Sequence, residues 1–166
     1  DALNTALAWI SGQRLSRIAI SFSGTFAAQP IWKTYPAPYL VERSGGLVGD
    51  QGIHYIDIAR YISQSEVKRV MAMGCHQLLN YSEHVSTVDA AAWLMEMENG
   101  VLVSHNHTWG APGWSCLVDI ISDESMVRVD ICANTAVGTV NGETANYQGV
   151  QDEFENEHRG FLLALE

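Results

Sequence analysis

Between residues 66 and 141 the chain reads as a succession of strand-length segments separated by short turns, and that succession limits the fold more than any other feature. Strands are expected at about 66–78, 86–97, 101–109, 115–122 and 125–132, with a weaker one near 136–141. Met97-Glu98-Asn99-Gly100-Val101-Leu102 predicts a hairpin, because Asn-Gly supplies the positive φ of a type I′ turn. Ser122-Asp123-Glu124-Ser125 predicts the turn joining the next pair. Strands linked by consecutive hairpins make a mostly antiparallel sheet. Upstream, a short helix is expected at about 2–11, leading through Gly12 into a strand near 16–28 where Ile18, Ile20 and Phe22 alternate with Ala19, Ser21 and Ser23. Pro30, Pro36 and Pro38 make 29–44 an irregular loop. From Leu47 to Ile62 the apolar residues Leu47, Val48, Tyr55, Ile58, Ala59, Tyr61 and Ile62 fall on one broad arc, the pattern of an amphipathic helix. The predicted fold class is α+β: a mostly antiparallel open sheet with helices packed on one face.

One layer of helices leaves the other face of such a sheet uncovered. In the strand at 86–97, Val88, Ala90, Ala92 and Leu94 point one way and Ala91, Trp93 and Met95 the other, so both faces are apolar. The uncovered face predicts pairing with another subunit, hence a homo-oligomer formed through the open sheet.

Composition narrows the class further. The chain has 166 residues, 47% of them hydrophobic and 17% charged, which suits one globular domain. No apolar run approaches the roughly 18–20 residues that cross a bilayer, and no basic cleavable leader opens the chain. Cys75, Cys116 and Cys132 are widely spaced, without a Cys-x-x-Cys, and read as reduced, strand-borne hydrophobes of a cytoplasmic protein. A formal net charge of −10 argues against nucleic acid and anionic membrane as partners, both of which demand basic patches.

The candidate chemistry lies in Gly45-Gly46-Leu47-Val48-Gly49-Asp50-Gln51-Gly52-Ile53-His54-Tyr55-Ile56-Asp57. On a helix, residues i and i+4 stack on one face, which lets Asp50 orient His54 or lets both touch one small polar ligand. Imidazole moves a proton near neutral pH, and oxidation of an alcohol needs such a base, since the hydroxyl proton must leave as the hydride departs. The plainer reading has Asp50 capping the first turn and His54 packing. Other candidates are weaker. His105 and His107 share a strand face with Val101, Val103 and Trp109, but zinc wants at least three converging ligands, so no metal site is expected. Cys75-His76 and His84 add no recognisable spacing. Ser104 and Ser115 lie in no Gly-x-Ser-x-Gly elbow.

Gly-Gly-x-x-x-Asp-x-Gly-x-His-x-x-Asp resembles the signature of the Gfo/Idh/MocA family of nicotinamide-dependent oxidoreductases, in their C-terminal domain. The opening 3–12, Leu15-Ser16-Arg17-Ile18, Trp32-Lys33, the hairpin at Asn99-Gly100 and the closing Glu153-Phe154 and 160–166 follow in the family's order. The resemblance implies that Asp50 and His54 are the catalytic pair. His54 would act as acid/base on the reacting hydroxyl or carbonyl, and Asp50 would orient it and contact substrate. Trp32 and Lys33 become candidate substrate contacts, against the plainer reading of Lys33 as a solvated loop lysine. The family's lysine in a Glu-Lys-Pro motif and its Gly-x-Gly-x-x-Gly pyrophosphate fingerprint are both missing from this sequence.

The expectation is therefore that residues 1–166 are the single C-terminal domain of a two-domain oxidoreductase whose N-terminal Rossmann domain, the carrier of NAD or NADP, is absent from this chain. Both ends read as cuts through a longer protein. The chain alone would bind no cofactor and be inactive, while the intact protein would act on the CH–OH group of a sugar, inositol or related polyol. Part of the apolar sheet face could then be covered by the cofactor domain. The alternative is a non-catalytic binding or dimerisation module that retains the fold.

Overall fold

The computed structural model describes residues 1–24, 41–78, 86–150 and 161–163. Pro30, Trp32, Lys33, Tyr35, Pro36, Pro38 and His84 lie outside these residues, as does most of the stretch 152–166. Helix α1 (Ala2–Trp9) leads into β1 (Leu15–Ser23). A four-residue helix α2 (Val41–Ser44), a π-helical turn (Leu47–Gly52) and α3 (Ile53–Ser63) follow. Seven more strands complete the described order: β2 (Val67–Cys75), β3 (Ala90–Met97), β4 (Leu102–Thr108), β5 (Ser115–Ser122), β6 (Ser125–Asp130), β7 (Thr135–Val140) and β8 (Glu143–Gln148).

These strands form one eight-stranded sheet in the order β2-β3-β4-β1-β5-β6-β7-β8. Every neighbouring pair is antiparallel except β1 with β4, which run parallel from Arg17↔Leu102 to Ser23↔Thr108. The α+β class and the mostly antiparallel sheet thus agree with the sequence reading. One strand lies beyond those the sequence predicts: β8 pairs with β7 around Asn141 (φ 51°) and Gly142 (φ 84°). There both central residues take positive φ, the two-residue type I′ geometry.

The predicted type I′ turn at Asn99-Gly100 is corrected. Only Gly100 has positive φ (90°), the Gly100 N–H donates to Met97 O at 3.0 Å, and the Met97 N–H donates to Val101 O at 2.9 Å. This is a three-residue loop closed by a glycine bulge. Asn99 takes another task instead, donating its amide to Ser63 O at 2.8 Å and tying the hairpin to the end of α3. The single helix expected from Leu47 to Ile62 is likewise two pieces, a π turn followed by an α-helix.

One face of the sheet carries the core. Ile18, Ile20, Trp93, Met95, Val103, Val118, Ile120, Val127 and Val129 are buried there against Ala2, Ala6 and Ile10 of the α1 side and Ala59 and Ile62 of α3. Asp1 caps α1, its carboxylate accepting the Asn4 N–H at 2.9 Å, and the Ala2 N–H donates to Asn134 Oδ1 at 2.8 Å, fixing the helix start on the β6–β7 turn. The opposite face keeps Met71, Met73, Leu94, Leu102, Met126 and Val137 exposed, as the alternation in β3 predicted. Cross-strand ion pairs, Arg128 with Asp119 and Lys68 with Glu96, punctuate it. No helix among the described residues is long and apolar enough to cross a membrane.

Candidate active site

The motif is built by the glycine pair. Gly46 sits at φ 64°, and a Cβ there would lie 2.3 Å from Thr87 Oγ1. The next residue uses that approach: the Leu47 N–H donates to Thr87 Oγ1 at 2.8 Å. The chain therefore enters the π turn pinned to the segment that precedes β3, with Leu47 fully buried beneath it. π turns are rare and often mark functional sites, because the wider turn re-aims the side chains it carries.

Asp50 is half-buried in this turn and His54 is exposed in the first turn of α3. No hydrogen bond joins the two among the described residues. The residues that follow each of them make inward contacts. Gln51 Oε1 accepts from Trp109 Nε1 at 2.6 Å and from His107 Nε2 at 3.2 Å. His107 Nδ1 lies 3.1 Å from His105 Nε2. Tyr55 lies near the Cys116 thiol and against Phe22, with ring centroids 5.0 Å apart, and against His105 at 5.1 Å. Gln51 and Tyr55 thus moor the turn to the ends of β1, β4 and β5, while Asp50 and His54 remain outside. A cavity of about 510 Å³ at the other end of α3, bordered by Ile10, Gln13, Tyr61 and Asn99, holds neither of them.

The moorings are neutral. Burial pushes His105 down to about 3, with His107 beside it adding to the shift, and burial alone pushes His107 down to about 4. Burial also raises the Tyr55 phenol, helped by the nearby Cys116 and Cys132, and pushes the Cys116 thiol up to about 12. None of these four groups titrates near neutral pH, so they hold shape and do not exchange protons.

His105 stacks on Trp93 with centroids 4.2 Å apart, so the histidine pair that the sequence offered as a remote zinc candidate is an aromatic and hydrogen-bonded layer of the core. Among the described residues no group of three or more His, Cys, Asp or Glu is placed to hold a metal ion. Asp89, almost fully buried, accepts the backbone N–H groups of Gln77 and Leu78 beyond β2. Sequence reasoning passed over Gln51 and Asp89. Gln51 had a signal available, its place one residue after Asp50 in the motif, whereas nothing local marks Asp89. Trp32 and Lys33 fall outside the described residues.

Over 108 residues the chain is 32% identical to an uncharacterized oxidoreductase YrbE of Bacillus subtilis, covering 64% of this chain and 31% of that protein. It is 24% identical over 134 residues to a scyllo-inositol 2-dehydrogenase (NAD(+)) of the same organism, covering 79% of this chain and 39% of the relative. The solved structure of UDP-N-acetylglucosamine 3-dehydrogenase GnnA from Acidithiobacillus ferrooxidans superposes with a TM-score of 0.76 at 16% identity, covering 97% of this chain and 48% of that one. The chain thus spans about a third of the curated relatives it matches and about half of the solved structure. Residues 14–129 match the model of the GFO/IDH/MocA C-terminal domain, and the chain belongs to that family.

Proposed function

We propose that this chain is the substrate-side and oligomerisation domain of an NAD(P)-dependent oxidoreductase acting on the CH–OH group of a sugar, inositol or related polyol. The observation that carries the reading is the pinned π turn, which leaves Asp50 and His54 outside while Gln51 and Tyr55 hold it from within. Family membership and the dehydrogenase names of two relatives support the substrate class.

In this reading His54 takes the proton of the reacting hydroxyl during oxidation and returns it during reduction. Asp50 orients the imidazole and accepts a hydrogen bond from the substrate, the pair closing on the ligand. Trp32 and Lys33 add substrate contacts. A dinucleotide does not fit this chain by itself: there is no Gly-x-Gly-x-x-Gly, and Gly45-Gly46 follow the short helix α2 where a pyrophosphate cradle requires a strand. The nicotinamide, acceptor of the hydride, would be carried by an N-terminal Rossmann domain of the intact, cytoplasmic protein, so the isolated chain would be inactive. The exposed sheet face, from Met71 and Leu94 to Met126, would join subunits.

The test is turnover by the intact protein with NAD+ or NADP+ across a polyol and sugar panel. Asp50→Asn and His54→Ala should each lower kcat by about a hundredfold or more, the usual size of a general acid–base contribution, with oligomeric state unchanged. Turnover that survives both substitutions removes the pair from the mechanism and favours the non-catalytic module.

A further inference from the structure

We propose that Gln51 is a specificity-determining residue whose carboxamide N–H groups donate to a hydroxyl oxygen of the substrate, one residue along the chain from Asp50. The proposal rests on the oxidoreductase reading above and adds a contact to that site.

The argument is one of hydrogen-bond direction. An indole N–H can only donate, so the 2.6 Å contact from Trp109 Nε1 fixes the inward atom of the Gln51 amide as its oxygen. His107 Nε2 donates to the same oxygen at 3.2 Å. A neutral imidazole that donates through Nε2 carries a bare Nδ1, and that atom takes the N–H of His105 Nε2 at 3.1 Å. The row ends at His105 Nδ1, buried and with no hydrogen-bond partner among the described residues. Each link therefore has one possible polarity, and reversing the amide would set two donors against each other at Trp109.

Both acceptor directions of Oε1 are filled from inside. The planar amide consequently turns its NH2 group away from Trp109 and His107. Gln51 is only half-buried, and the hydrogen bonds of its amide among the described residues all go to Oε1, none to Nε2. A donor pair that is held in place yet unused is suited to an acceptor from outside. With Asp50 adjacent and a chain charge of −10, that acceptor is an uncharged oxygen and not an anion. A polyol supplies it, since its hydroxyls donate to a carboxylate and accept from an amide at neighbouring positions.

The experiment uses the intact protein and a set of monodeoxy analogues of its best polyol substrate. Gln51→Glu keeps an oxygen for Trp109 and His107 and deletes both N–H donors; Gln51→Met deletes the donors without adding charge but also removes that oxygen. For the parent substrate each variant should lose about tenfold in kcat/KM, chiefly through KM, the usual worth of one neutral hydrogen bond. For the analogue lacking the contacted hydroxyl the ratio of unsubstituted to variant kcat/KM should fall to about one. An equal loss with every analogue would mean that the amide only braces the turn, and overturns the proposal while leaving the oxidoreductase reading intact. Should the unsubstituted protein neither bind a polyol by calorimetry nor oxidise one, both are overturned together.

Discussion

His105 and His107 show how one burial decision fixes several properties at once. Placed on the inner face of β4, they lose access to water, stack among Trp93, Phe22 and Tyr55, and are held neutral well below the ordinary histidine value. The consequence for stability has a definite sign. Above pH 6.5, the ordinary value, both rings are neutral whether the chain is folded or not. Below it the unfolded chain binds protons that the folded one refuses until about 4 for His107 and about 3 for His105. Stability is therefore full above the unfolded value and lost as pH falls toward the folded values, by a few kcal/mol as an order of magnitude. Urea denaturation at pH 7, 5.5 and 4.5 should show this slope, and a His105→Phe/His107→Gln double variant should flatten it whatever its absolute stability. An unchanged slope would place the protons elsewhere. The face shared by these two histidines was legible from the alternation Val101, Val103, His105, His107, Trp109. Their partner Gln51 was not, because it is distant in sequence by 56 residues from His107.

At the scale of elements, the apolar arc of the motif segment predicts a helix, and a helix it largely is. The period could not reveal the π turn, since a single widened turn shifts only a few side chains and leaves the arc standing. The cause lies in contacts: the Leu47 N–H is claimed by Thr87, and Gly45 and Gly46 at positive φ bring the backbone against that side chain. Gly46→Ala should accordingly destabilise the domain by about 2 kcal/mol, combining a left-handed conformation with a Cβ 2.3 Å from Thr87 Oγ1. Denaturation at constant slope measures it, and a loss under about 0.5 kcal/mol would show that the turn relaxes freely. The two Asn-Gly pairs make the same point in reverse. Identical dipeptides give a three-residue bulged loop at Asn99-Gly100 and a type I′ turn at Asn141-Gly142, because Asn99 is drawn to the end of α3 by its bond to Ser63.

For the molecule as a whole, the sheet has one covered face and one bare face. Leu94 and Met71 are 46% and 76% exposed on the bare side, paired across β3 and β2. If that face joins subunits in the intact protein, Met71→Glu with Leu94→Glu should convert the oligomer to a smaller species by sedimentation while leaving the thermal midpoint nearly unchanged, since neither residue is in the core. A retained oligomer would assign assembly to another surface. The sequence by itself determined the class of fold, most strand positions, the alternation along β1 and β4, and the segment carrying Asp50 and His54, because alternation, glycine pairs and turn chemistry are local. Tertiary structure alone decided that β1 slots between β4 and β5 to make the one parallel pairing among the described residues, although β4 and β5 follow one another in the chain. It also decided that Gln51 meets Trp109 and His107, that Tyr55 meets Cys116, and that Thr87 holds the turn. Each of those joins segments far apart in sequence, and no local pattern records which distant partner satisfies a buried polar group.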